Sequence, residues 1–151
     1  MPVVMRWFDI PPVWLIGFIA LSWGLSYLAQ GSGFGAFSGL VGVVLLILAA
    51  AITVLAVREF KKAGTTIIPG QEPSALVTSG VFAFSRNPIY LADVMFLTGP
   101  VLIWDAVLAL PLIAVFIWVL RTRFIAGEEA RLEAAYPAEF AAYCAATRRW
   151  I

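Results

Sequence analysis

Four apolar stretches, Ile10–Ala29, Phe34–Val57, Ile89–Ile103 and Ala106–Leu120, fill most of the first 120 residues, and Asp93 is the one charged side chain that interrupts them. A helix that crosses the hydrocarbon of a bilayer needs about 20 predominantly apolar residues. A chain patterned this way therefore folds as membrane-spanning helices or exposes far more apolar surface than a soluble core of its size can cover. Composition points the same way: 62% of the 151 residues are hydrophobic and 13% charged, against about 45–50% apolar in soluble domains. The expected fold is all-α and integral to the membrane, with about four transmembrane helices followed by a C-terminal helical segment at the cytoplasmic interface. The first two stretches are long enough to span. The last two are short at about 1.5 Å of rise per residue, and their ends are expected in a shallow polar pocket. The first stretch is expected to be retained, because its apolar run is too long for a signal peptide and no small-residue cleavage site closes it.

With four spans, all ten lysines and arginines fall on one side, while the turns Gln30–Ser38 and Trp104–Asp105 carry no cation. The positive-inside rule then places both termini and any site near them in the cytoplasm, most naturally at the inner (plasma) membrane. The net charge of +1 conceals this asymmetry, which suits anionic headgroups of membrane lipids. Topology accounts for the cations, so a nucleic-acid partner has no support.

The chain has no histidine and a single cysteine, Cys144. An intrachain disulfide is impossible, and no metal site is expected. Any catalysis must draw on carboxylates, arginine, tyrosine or positioning. Cys144 reads as small core filler.

Residues 1–60 read as a scaffold of two transmembrane helices, and residues 61–151 as the region that carries chemistry. The first helix should begin near Pro11 and Pro12, and Gly31–Gly35 should form the turn to the second. Polar positions here (Ser22, Ser26, Tyr27, Thr53) are scattered, and Gly17, Gly24, Gly39 and Gly42 are expected to let helices pack closely. From Lys61 to Arg86 helical periodicity disappears. A loop of that length is usually functional, and this one, with apolar residues such as Ile67, Ile68, Val77 and Phe82, should fold back on the membrane surface as a cover.

The loop ends in Ser85-Arg86-Asn87-Pro88, followed by Tyr90 and Asp93. Asparagine is a good helix cap and proline suits the first helical position, so capping alone could explain Asn87 and Pro88. Capping does not explain Arg86, nor Tyr90 and Asp93 three residues apart on one helix side. An ionisable residue one to two turns inside a membrane helix, as Asp93 would be, is either functional or part of an ion pair. A turn at Trp104–Asp105 predicts a register that sets Arg86 near Arg123 and Tyr90 near Val119, with Glu128 and Glu129 supplying the anions that two arginines require. Pro137 should end one helix at Tyr136 and start another. Leu132, Tyr136, Phe140, Tyr143 and Thr147 share one face, expected on the bilayer or the hairpin. Arg148, Arg149 and Trp150 read as an interfacial anchor, which keeps both arginines out of the expected site.

The segments ALVTSGVFAFSRNPIYL and EEARLEAAYPAEFAAYCAATRRW, in this order around a short hairpin, resemble the isoprenylcysteine carboxyl methyltransferase family of membrane enzymes and, more broadly, its relatives that methylate phospholipid amines. The resemblance covers roughly residues 63–151. It implies that S-adenosylmethionine binds between the Arg-Asn-Pro-x-x-Tyr segment, the hairpin and the C-terminal helices, and that its methyl passes to a lipophilic acceptor. Carried over by position, Arg86, Asn87 and Tyr90 match the cofactor segment, and Glu128 and Glu129 match the paired glutamates that hold the cofactor. Asn87 stands where many relatives have histidine, and Tyr136-Pro137 where Phe-Gly is usual. The family's acceptor-recognising arginine lies shortly before the glutamates, close to Arg123. The expected activity is methyl transfer to a carboxylate of the isoprenylcysteine type, with Arg123 steering the acceptor. Transfer to a phospholipid amine is the alternative and needs a base, for which Asp93 is available. A non-enzymatic helical bundle, such as a transporter subunit, is the alternative from another class.

Overall fold

The computed structural model describes residues 9–28, 33–35, 37–65 and 74–151. Six α-helices follow one another: α1 (Pro11–Ser26), α2 (Ser38–Lys62), α3 (Pro88–Ile103), α4 (Leu110–Val119), α5 (Ala126–Ala135) and α6 (Pro137–Ala146). Short 3-10 turns at Gly80–Ala83 and Val107–Ala109 precede α3 and α4, and a π-helical segment, Leu120–Ile125, joins α4 to α5 without a break. No strand occurs among the described residues, and the all-α membrane architecture expected from the sequence is the one observed.

Two continuous helical rods, Ser38–Lys62 and Val107–Ala135, are long and apolar enough to cross a bilayer, and α1 and α3 are shorter apolar helices. Two length expectations are corrected. The helix in the first stretch has 16 residues, about 24 Å at the usual rise, so α1 is as short as α3. The fourth apolar stretch does not stop at Leu120, because the rod continues through Arg121 and Arg123 as far as Ala135. Large apolar side chains such as Leu40, Ile47 and Val54 on α2, and Trp118 on α4, are exposed. That is unfavourable in water and ordinary against lipid.

The principal core forms where α3, α4 and the π segment meet α1. Leu97, Val101, Phe116, Leu120 and Ile125 are fully buried there, and Trp14, Phe18 and Ile19 of α1 pack onto them. Three hydroxyls inside the apolar helices are satisfied by their own helices. Ser22 donates to the Phe18 carbonyl, Thr53 to Ala49 and Thr98 to Val94, which is how hydroxyls are accommodated without water. Of the four glycines expected to permit close packing, Gly42 alone does so: a Cβ there would lie 2.5 Å from the Gly99 carbonyl of α3, whereas one at Gly17, Gly24 or Gly39 would meet nothing within 4 Å.

The described turns at one end are tied together, since the backbone N–H of Phe34 donates to the Asp105 carboxylate at 2.6 Å. Ile67 and Ile68 of the long loop lie outside the described residues. Its later part folds onto protein: Val77 and Phe82 join Ala56 of α2 and Phe140 and Tyr143 of α6 in a second core. Ser79 donates to Glu59 at the end of α2 at 2.6 Å. The C-terminal apolar face therefore packs on this loop and on α2, not on the bilayer or the hairpin. Tyr136 ends α5 and Pro137 opens α6, as the sequence predicts.

Tyr143 anchors that second core. Its hydroxyl donates to the Phe82 carbonyl at 2.6 Å in a buried bond, and burial pushes its pKa up to about 12. Tyr143→Phe strands the Phe82 carbonyl, and the expected loss is about 1–3 kcal/mol, read as a lower thermal midpoint of the detergent-purified protein.

Candidate functional site

The two polar clusters, more than 30 residues apart in sequence, meet at one end of the bundle. Arg86 sits immediately before α3 and is mostly buried, with 12% of its side-chain surface exposed. Its Nη2 donates to Glu129 Oε1 at 3.2 Å, and its Nη1 donates to the carbonyls of Thr147 at 2.8 Å and Cys144 at 3.4 Å. Its Nε is buried and has no hydrogen-bond partner among the described residues. The backbone N–H of Arg86 donates to the Arg148 carbonyl, so backbone and side chain are both docked on the C-terminal segment.

Asn87 is buried, and its side chain makes no cap for α3. Its Nδ2 donates instead to the Arg149 carbonyl at 3.1 Å, an acceptor shared with the Ser85 hydroxyl at 3.3 Å. The capping explanation of Asn87 is thus replaced by a link to the tail, while Pro88 does open α3 as expected. Tyr90, on the first turn, donates its hydroxyl to Glu128 Oε1 at 2.7 Å, and its ring stacks on Phe124. The other Glu128 oxygen accepts no hydrogen bond from the described residues. Asp93, one turn deeper, is half-buried, and its carboxylate has no hydrogen-bond or ion-pair partner among the described residues.

The hairpin register differs from the expected one. Tyr90 faces Phe124, not Val119, and Arg86 faces Glu129, not Arg123. The main cause is the turn, since α3 ends at Ile103 and α4 begins only at Leu110, so the hairpin is centred further along the chain than Trp104–Asp105. The π-helical segment Leu120–Ile125 adds to this, because a wider turn places about one more residue in the same axial length than an α-helix does. Arg123 instead turns outward, pairs with Asp9 at 2.7 Å and lies over the Trp14 ring at 5.3 Å. The hydrogen bonds from Arg123 and then Trp14 hold the Asp9 carboxyl below its ordinary range. Beside this pair, Val13, Trp14, Gly17, Phe18 and Leu21 line a wholly apolar groove on α1.

Arg149, expected as an anchor, belongs to the polar junction. Its Nη2 and Nε donate to the two oxygens of Glu129 at 2.6 Å and 3.0 Å, a bidentate pairing, and this bond raises the Arg149 pKa. Trp150 packs on the principal core, which corrects its reading as a headgroup-level residue. Ser85 is a second missed contributor, 3% exposed and bonded to both Asn87 and the tail. No local signal in the sequence points to Arg149, because its partner Glu129 lies 20 residues away. Cys144 packs at the edge of the second core, as filler.

The donor set fits S-adenosylmethionine. That molecule presents an amino group, ribose hydroxyls and a carboxylate. Among the described residues, the site holds a Glu128 carboxylate with one oxygen that accepts no hydrogen bond, a buried Arg86 Nε–H without an acceptor and an Asp93 carboxylate without a partner. No cluster of three or more potential metal ligands occurs among the described residues.

An all-α membrane bundle that gathers buried, incompletely satisfied polar groups at one end is built as an enzyme of the lipid–water boundary, since such groups are costly there unless they serve a ligand. The phospholipid methyltransferase family model matches residues 37–139, and the chain belongs to that family. It is a membrane methyltransferase, and the methyl donor such an enzyme generally implies is S-adenosylmethionine. No curated protein and no solved structure matches the chain.

Proposed function

We propose that the protein transfers a methyl group from S-adenosylmethionine to the amine of a phospholipid headgroup at the cytoplasmic face of the membrane, with residues 61–151 carrying the site and residues 1–60 serving mainly as scaffold. The observation that carries this reading is the partnerless Asp93 carboxylate, one turn from the Tyr90–Glu128 hydrogen bond. The sequence favours a carboxylate acceptor steered by Arg123, but Arg123 is engaged by Asp9 and Trp14. The family's own description names phospholipids. The cytoplasmic placement rests on the positive-inside rule.

When bound, S-adenosylmethionine would supply an electrophilic methyl group on a sulfonium and depart as S-adenosylhomocysteine once the methyl had passed to the acceptor nitrogen. Arg86 would offer its Nε–H to the cofactor's carboxylate, and Glu128, oriented by Tyr90, would take the amino group or the ribose hydroxyls. Asn87 holds the segment against the tail. Asp93 would accept the proton that the acceptor ammonium must lose to free its nitrogen lone pair. Alignment and exclusion of water supply much of the acceleration, worth up to roughly 7–11 kcal/mol for well-oriented reactants.

A carboxylate of the isoprenylcysteine type is the second reading, favoured by the order of motifs around the hairpin and by the fact that a carboxylate needs no base. Incubating the purified protein with methyl-labelled S-adenosylmethionine and either phosphatidylethanolamine vesicles or a prenylcysteine separates the two. Label that enters phosphatidylethanolamine and survives alkali is the expected result. Alkali-labile label on the prenylcysteine moves the assignment to the ester, and no label on either acceptor removes methyl transfer to these classes altogether.

A further inference from the structure

Adjacent residues on a helix point about 100° apart, so Glu128 and Glu129 cannot both face one pocket. Glu128 turns toward α3 and accepts the Tyr90 hydroxyl. Glu129 turns toward the tail and accepts three hydrogen bonds from two arginines: Arg86 Nη2 at 3.2 Å, Arg149 Nε at 3.0 Å and Arg149 Nη2 at 2.6 Å. Its charge and most of its accepting capacity are thereby used, with 16% of its side chain exposed. Arg149 is held at both ends, because its carbonyl also accepts from Asn87 and Ser85. Arg86 is consequently fixed by the Thr147 carbonyl on one side and Glu129 on the other, which leaves only its Nε uncommitted.

We propose that Arg149 is a positioning residue for the cofactor site: with Glu129 it forms a latch that fixes the Arg86 guanidinium, and Glu129 acts through this latch instead of holding the cofactor. The inference rests on the S-adenosylmethionine reading given above. It divides the labour of the acidic pair, with Glu128 facing the ligand and Glu129 facing the protein. It also gives a function to a residue beyond the family-matched segment, which ends at residue 139.

The test uses the full chain in detergent, with calorimetric affinity for S-adenosylmethionine and steady-state methyl transfer. Arg149→Gln and Glu129→Gln are each expected to raise KM and Kd for S-adenosylmethionine about 10-fold while kcat stays within about twofold. The Glu129→Gln/Arg149→Gln double variant should be no worse than its weaker parent. The losses of Glu128→Gln and Arg149→Gln should multiply, as for groups that act independently. Arg149→Lys should recover part of the affinity, since lysine keeps the charge but not the bidentate fork. Multiplying losses for Glu129→Gln and Arg149→Gln would show that Glu129 touches the cofactor itself. A fall in kcat with KM unchanged would reduce Arg149 to a stabilising contact, and either result overturns the latch. If Glu128→Gln weakens binding while the latch variants bind like wild type, only the latch fails. If the wild-type chain neither binds S-adenosylmethionine nor transfers methyl, the cofactor reading fails with it.

Discussion

Gly42→Val is expected to abolish the docking of α2 on α3 and to leave little monodisperse protein after extraction in detergent. The first atom of any side chain at Gly42 would stand 2.5 Å from the Gly99 carbonyl oxygen and 2.7 Å from Ile103 Cγ1, with the Ile103 backbone N at 3.3 Å. Two of these are backbone atoms of α3 and cannot swing aside, so the helices must separate. Overpacking that flexible side chains absorb costs about 1–3 kcal/mol, and a backbone collision lies at or above that range. Separation would also lift away Leu46, one turn further along α2, whose side chain closes on Gly99. Gly39→Val is the internal control: it lies on the same helix, a Cβ there meets nothing within 4 Å, and its elution profile and thermal midpoint should stay near wild type. Equal behaviour of the two variants would refute the close-approach account.

Arg86→Ala is expected to remove both stability and cofactor binding. The substitution deletes the donors to Glu129, Thr147 and Cys144 in one step and leaves the Glu129 carboxylate with Arg149 alone. Removing one partner of a buried ion pair costs about 3–5 kcal/mol. The lower end applies here, because the remaining arginine still compensates the charge. Binding should suffer beyond that loss, since the free Nε–H disappears with the side chain. The check is calorimetry with S-adenosylmethionine at a temperature where the variant is still folded, alongside a thermal melt. A variant that melts early but binds normally when folded would confine Arg86 to holding the tail.

Much of the architecture was legible because the bilayer imposes simple rules. Apolar runs, the side on which cations fall, and proline at the first helical position identified the helices, the shared end of the two cation-free turns and the start of α3. Five residues singled out in the sequence, Arg86, Asn87, Tyr90, Glu128 and Glu129, meet in one junction in the structure, while Arg123 turns away from it. Their pairing was not legible. A register drawn from the turn assumes a two-residue connection and uniform rise, and both the longer connection from Ile103 to Leu110 and the π segment at Leu120–Ile125 break that assumption with no local signature in their residues. Asn87 misled because the commonest use of asparagine before proline is capping, a local bond, whereas its actual partner is the Arg149 carbonyl, 62 residues away. Arg149 and Trp150 misled for the related reason that an Arg-Arg-Trp ending looks interfacial, and only the tertiary position of Glu129 shows otherwise.

The same π segment takes up one extra residue within the rod. Its wider winding turns and rises about as far as an α-helix one residue shorter, so deleting a residue between Leu120 and Ile125 would let the stretch close into ordinary winding while Glu128 and Glu129 kept their present neighbours. Adding a residue just after it, in ordinary α winding, would instead rotate everything downstream by about 100°, so the rod should tolerate a one-residue gap in this stretch far better than a one-residue insertion beyond it.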